Sequence, residues 1–321
     1  MGTNFTSEVR KDFIKGIDII ILRSDNCEAY IAPSLGANLC RFSYKGKNII
    51  DYKEEALLSS YFTGTPILYP TPNRVKNGKF TYLGKEYIEQ KNGERILIHG
   101  LVFNETWEYD KVVITEESIS IKLHLNFLPG KSYYEAFPFN STIWVEYILY
   151  GDGLKLIYTI ENNDNKALPF GFAVHPYFTK LSGDEGTLIE MPAASILECK
   201  EGYFTTGKTI PVKGTSFDLL SPVKVGSLKL DTNYTDLDVN KPSIITYEGL
   251  DFSLNISCTE DFKHIVLYTP KGTDYFCLEN QTSSIDAHNV YDKGFKELSG
   301  LIVLAKGKSK SGFIDYKIIK F

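Results

Sequence analysis

Five side chains spread along a chain of 321 residues, Arg74, His99, His175, Asp231 and Glu279, are of the types that move protons or hold hydroxyl groups. Each falls at the end of an apolar run or in the loop beside one. If they converge, a carboxylate base facing an imidazolium acid would remove one proton from a substrate while delivering another elsewhere. Opening a sugar hemiacetal needs that pair of transfers. The base takes the anomeric hydroxyl proton, the acid protonates the ring oxygen, and reclosure after rotation about C1–C2 gives the other anomer. Two histidines and a glutamate are also a zinc-hydrolase ligand set, although the close His-x-x-x-His spacing of many such sites is missing. Two carboxylates, Asp231 and Glu279, could serve a glycosidase. An aromatic face with Arg74 alone would suffice for a non-catalytic carbohydrate-binding sandwich.

The elements that must position these groups read as strands. His175 closes the run Pro169-Phe170-Gly171-Phe172-Ala173-Val174 and is locked against Pro176, which biases it toward extended geometry at a strand end. From Ser118 to Phe127 the alternation is clean, with Ile119, Ile121, Leu123, Leu125 and Phe127 on one face and His124 on the other. Ile143 to Tyr150 and Leu154 to Glu161 flank Gly151-Asp152-Gly153 as a hairpin, and Phe80 to Leu83 and Glu86 to Ile88 flank a turn placed at Gly84-Lys85. Short strands continue at Ile244, Phe252, His264, Phe276, Leu301 and Phe313, and no amphipathic helix longer than a turn or two competes with them. With no composition break, the expected fold is all-β: one large antiparallel β-sandwich spanning residues 1–321 as a single domain.

Composition narrows the partners. The 21 tyrosines and 20 phenylalanines favour strands and offer surfaces for sugar rings, and the net charge of −5 leaves no basic face for nucleic acid or an anionic membrane. Five scattered cysteines without a Cys-x-x-Cys pair suggest reduced thiols in a cytoplasm. The run Ile17 to Leu22 is too short for a membrane span and wrongly flanked for a secretory signal. No cofactor or metal is expected, and the oligomeric state is open.

In order along the chain, several motifs resemble those of the aldose 1-epimerases, or galactose mutarotases. They are Asn73-Arg74-Val75 with Gly78-Lys79-Phe80 and Leu83-Gly84, then His99-Gly100 with Trp107, Phe172 through Phe178, Leu230 through Tyr234, and Leu278-Glu279-Asn280-Gln281-Thr282 through Asp286-Ala287-His288-Asn289. The resemblance covers nearly the whole chain. It implies a β-supersandwich and anomer interconversion without a redox or metal cofactor. It casts Glu279 as general base and His175 as general acid, His99 as a second histidine beside the ring oxygen, and Asn73, Arg74 and Asp231 as binders of ring hydroxyls. Asp236 and Asp238 lie nearby, and either could be the counterpart of that carboxylate in place of Asp231. In the similar hexose-phosphate mutarotases an arginine after the histidine-glycine motif holds phosphate; here Phe103 takes that place, so a free aldose such as galactose or glucose is expected. His124, His264 and His288 read as structural or solvated, and Tyr177, Phe178, Trp107 and Trp144 as packing residues.

Overall fold

A computed structural model describes residues 3–14, 16–59, 63–91, 93–200 and 204–321. Among the described residues no helix exceeds the six residues of Ala287–Asp292. The alternating segment Ser118–Phe127 is a strand whose five apolar members are buried and whose polar members are half-buried. It pairs with Ser141–Tyr150, which turns back into Gly153–Asn162 in an unbroken register from Ser141 opposite Asn162 to Tyr150 opposite Gly153. The C-terminal strand Ser309–Lys320 continues the same antiparallel sheet, which has ten strands among the described residues.

A larger sheet of thirteen described strands lies against it. Side chains bridge the two. The Tyr147 hydroxyl donates to the Ala37 carbonyl at 2.8 Å, and edge-to-face ring pairs join Tyr44 to Phe252 and Phe178 to Tyr316, with centroids 5.1 and 6.1 Å apart. The inward rows include Ile143, Val145, Tyr147, Leu156, Tyr158 and Ile314, all fully buried. At roughly 1.5–3 kcal/mol for each large apolar side chain taken out of water, this layer is the main stabilising term. The sandwich expectation holds, and the hairpins fall where the apolar runs place them.

One turn differs. Strands Lys79–Tyr82 and Lys85–Ile88 are joined by Leu83-Gly84, one residue earlier than the expected Gly84-Lys85. Both turn residues have positive φ, 50° and 74°, as a two-residue hairpin of the right twist requires, and Leu83 stands exposed. The glycine at its second position misleads because the first is held by a leucine.

What positions the site is a run of neighbouring strands in the larger sheet: Tyr177–Thr179, Tyr275–Gln281, His264–Tyr268 and Asp231–Leu237. On Tyr275–Gln281, Phe276 and Leu278 join the core, so the period of two sends Cys277, Glu279 and Gln281 to the opposite face. No described helix is long and apolar enough to cross a membrane.

Candidate active site

Two loops and four strands converge. The segment Tyr69 to Val75 is zipped to Leu97 through Leu101: His99 N donates to the Asn73 carbonyl at 2.8 Å, Leu101 N to Tyr69 O at 2.8 Å, and Val75 N to Leu97 O at 2.9 Å. Asn73 and His99 both sit at positive φ, 60° and 66°, conformations rarely adopted outside glycine and costing on the order of 1–3 kcal/mol. Gly100 follows with φ 72°, and a Cβ there would lie 2.4 Å from the Tyr69 carbonyl oxygen, so only glycine lets the two segments touch. The tight approach aims Asn73, Arg74 and His99 at the open face of the large sheet. Asn73 Oδ1 accepts from Arg74 N at 2.7 Å, and Asp286 N donates to the Arg74 carbonyl at 3.0 Å, which fixes the arginine's backbone.

His175 closes the short strand Ala173–Val174, which pairs on one side with Ile67–Leu68 and on the other with Gln281. Its imidazole stacks on Tyr177, with centroids 5.0 Å apart, and meets the His99 ring edge-on at 5.1 Å. Its Nε2 lies 3.1 Å from Glu279 Oε1. The other carboxylate oxygen of Glu279 accepts from Gln281 Nε2 at 3.0 Å. Farther out, Arg74 Nη2 and Asp231 Oδ2 are 3.6 Å apart, each side chain about one-third exposed.

All six residues singled out from sequence, Asn73, Arg74, His99, His175, Asp231 and Glu279, line one cavity of about 470 Å³. Tyr177, Tyr268 and Tyr275, with Ile98 and Val266, complete its wall. Asp236 lies at the far end of its strand and Asp238 beyond it, and neither borders the cavity. Phe103 is not among the lining residues either; its backbone packs against Gly36. Tyr177 corrects the expectation of a packing role, since it borders the cavity and stacks on His175. Phe178 and Trp107 are core, as expected. His264 and His288 are buried and structural: His264 Nδ1 lies 3.1 Å from Asn233 Oδ1, and His288 Nε2 3.1 Å from the Pro169 carbonyl. Tyr268 and Tyr275 are not marked in the sequence because, among 21 tyrosines, nothing distinguishes the ones that face a ligand. Gln281 was visible only as a motif member, though its place two residues beyond Glu279 puts it on the same strand face.

Electrostatics at the centre is governed by burial. Glu279 and His175 are 2% and 6% exposed. Loss of water raises the Glu279 carboxyl well above its ordinary range, with Asp231 adding to the rise and Gln281 and Arg74 opposing it. The same loss pushes His175 down to about 4, and His99 falls well below the usual histidine value through burial, with His175 and Arg74 adding to it. An opposite-charge argument alone would move the carboxyl down and the imidazole up; here desolvation exceeds it. Between the acid range and the point at which Glu279 ionises, the His175–Glu279 contact therefore holds one proton in common, and its two steps of titration belong to the pair. Among the described residues no group of three His, Cys, Asp or Glu side chains is placed to hold a metal ion.

Residues 18–317 match the family described as aldose 1-epimerase. Among curated proteins, the chain is 24% identical to the uncharacterized protein YihR of Escherichia coli over 88% of this chain and 87% of that one. It is 31% identical to galactose mutarotase of Homo sapiens over 52% of this chain and 48% of the human protein, so that match spans about half the relative's length. Among solved structures, a galactose mutarotase-like protein from Clostridium acetobutylicum superposes with a TM-score of 0.88 at 22% identity, covering 100% of this chain and 99% of the other. Galactose 1-epimerase from Lactobacillus acidophilus gives 0.77 at 20% identity, covering 99% and 98%. At those identities the structures speak to the fold.

Proposed function

The chain belongs to the aldose 1-epimerase family, isomerases that interconvert sugar anomers, and we propose that it acts on a free neutral aldose with Glu279 as general base and His175 as general acid. The observation that carries the assignment is the 3.1 Å approach of His175 Nε2 to Glu279 Oε1, both buried, on the wall of the cavity. The anomeric hydroxyl and the ring oxygen are both bonded to C1, so the groups that serve them must stand close together. Starting from imidazolium and carboxylate, Glu279 takes the proton of the C1 hydroxyl while His175 gives its proton to the ring oxygen. The C1–O5 bond breaks and the aldehyde forms. The sugar stays neutral, the pair still holds one proton, and the ion pair has become a neutral pair. Burial, which disfavours charge on both partners, draws the ion pair toward the neutral pair as the ring opens and by the same token makes the ion pair the minor protonation state of the resting site. Rotation about C1–C2 and the reverse transfers close the ring on either face.

In this reading Asn73, Arg74 and Asp231 bind ring hydroxyls, and His99, neutral at physiological pH, hydrogen-bonds beside the ring oxygen. The tyrosines supply an apolar face for the pyranose. The substrate is a galactose- or glucose-type sugar without a phosphate. Among the described residues, Arg74 is the one lining side chain with a permanent positive charge, and Asp231 stands against it. A dianion there would forgo charge-assisted hydrogen bonds worth about 1.5–3 kcal/mol each. The enzyme works as one domain in the cytoplasm, in carbohydrate metabolism, without metal, nucleic-acid or membrane partners. Proton NMR of the anomeric signals, with glucose and glucose 6-phosphate at equal ionic strength, tests the substrate class. A larger kcat/KM for glucose is expected, and a clear preference for the phosphorylated sugar would overturn the neutral-aldose assignment.

A further inference from the structure

Glu279 has two carboxylate oxygens with different surroundings. Oε1 faces His175 Nε2 at 3.1 Å, whereas Oε2 accepts a hydrogen bond from Gln281 Nε2 at 3.0 Å. Gln281 is fully buried, and its strand is fixed at that point from two sides. It is paired with Ala173 on one side and with His264 on the other, and the next residue, Thr282, donates its N–H to the Phe172 carbonyl at 2.8 Å while its hydroxyl accepts from Phe172 N at 2.9 Å. The backbone that carries Gln281 is thereby tied to the strand that ends at His175. An ionised carboxylate can only accept, and a glutamine has its donor on nitrogen, so toward the ionised Glu279 the amide presents Nε2.

We infer that Gln281 is a positioning residue for the proposed reaction: its amide holds Oε2 of Glu279, leaving Oε1 as the oxygen that exchanges protons with the sugar. The inference rests on the reading of Glu279 as general base. A planar carboxylate pinned at one oxygen loses its freedom to swing, and the second oxygen is aimed at the place where His175 also points. The hydrogen bond has a chemical effect as well. It stabilises the ionised carboxylate, offsetting part of the burial that would otherwise keep Glu279 protonated. Without it the shared proton would rest more firmly on Glu279, and the population with imidazolium and carboxylate, the one that starts ring opening, would shrink.

The test uses two substitutions in the full chain with galactose as substrate. Gln281→Met keeps the volume and removes the donor. It is expected to lower kcat by roughly ten- to a hundredfold, the span of one hydrogen bond to a charged group, with KM nearly unchanged, and to move the alkaline limb of the pH profile upward. Gln281→Glu still donates while its new carboxyl is protonated. It should therefore recover activity at acid pH and lose it as the pH rises, the opposite displacement of the same limb. A packing role would produce neither shift. Folded variants with the wild-type plateau and an unmoved alkaline limb would overturn the inference. Should Gln281→Met fail to fold, the Gln281→Glu profile decides alone. If the wild-type protein itself exchanges no anomers, the functional reading fails instead, and the two failures are told apart in one experiment.

Discussion

Replacing Glu279 by glutamine removes the proposed base while leaving its shape. In the variant, the Gln281 amide can still donate to a carbonyl oxygen at the Oε2 position, and no buried polar atom on that side loses its partner. A positioned base contributes about 10²–10⁴ in rate, so kcat/KM for galactose should fall by roughly that factor, or on the order of 3–5 kcal/mol of transition-state stabilisation. Stability should move the other way. Burial holds the Glu279 carboxyl above its unfolded value, so the folded chain keeps a proton that the unfolded chain releases. The wild type consequently loses stability as pH rises through and beyond the ordinary carboxylate range, and Glu279→Gln does not lose that component. Anomer exchange on the variant by polarimetry, paired with denaturant unfolding at pH 5 and pH 8, reads both effects. A folded variant with wild-type exchange would refute the assignment of the base, and a variant less stable than wild type at pH 8 would refute the argument from burial.

Further consequences concern pH, binding and the interior. The dependence of kcat/KM on pH should be bell-shaped, falling below about 4 as His175 and Glu279 come to hold two protons, and falling again at the higher pH where the shared proton leaves; a monotonic rise with pH would contradict the imidazolium acid. Arg74→Met should raise KM for galactose by roughly tenfold or more, with a smaller effect on kcat, since the guanidinium is assigned to ground and transition state alike; a large kcat loss at constant KM would assign Arg74 to the chemistry instead. Glu89 is fully buried, accepts from Thr71 Oγ1 at 2.7 Å and is pushed up to about 8 by burial. Because its folded pKa exceeds the unfolded one, stability drains as pH climbs from about 4.5 to about 8, by an amount on the order of 5 kcal/mol. Glu89→Gln should remove that slope in denaturant titrations at pH 5 and 9, and an equal difference between variant and wild type at both values would speak against it.

The strands legible in the sequence were those with a partner beside them and one face wet. Ser118–Phe127 and the hairpin of Ser141–Tyr150 with Gly153–Asn162 announce themselves by alternation. The strands Ala193–Lys200 and Phe204–Pro211 did not, because their exposed and buried residues follow no clean period and the register slips between Leu197 and Cys199. The candidate site was legible by residue type and motif order, since Asn73, His99, His175 and Glu279 interrupt apolar runs with groups that are costly to bury. Their meeting was not legible. It depends on Glu279 standing opposite Val266, and Val266 opposite Asn233, across strands distant in sequence. The direction of the central pKa shifts likewise needed the depth of burial, which composition does not reveal.

If this cavity exchanges anomers through one shared proton on His175 and Glu279, polarimetry on freshly dissolved α-galactose will register it. With wild-type protein the optical rotation should relax to its equilibrium value faster than in protein-free buffer, in proportion to enzyme concentration, and Glu279→Gln and His175→Asn should each return the rate toward that of buffer. A folded wild-type protein that leaves the relaxation of both galactose and glucose at the buffer rate would contradict the account.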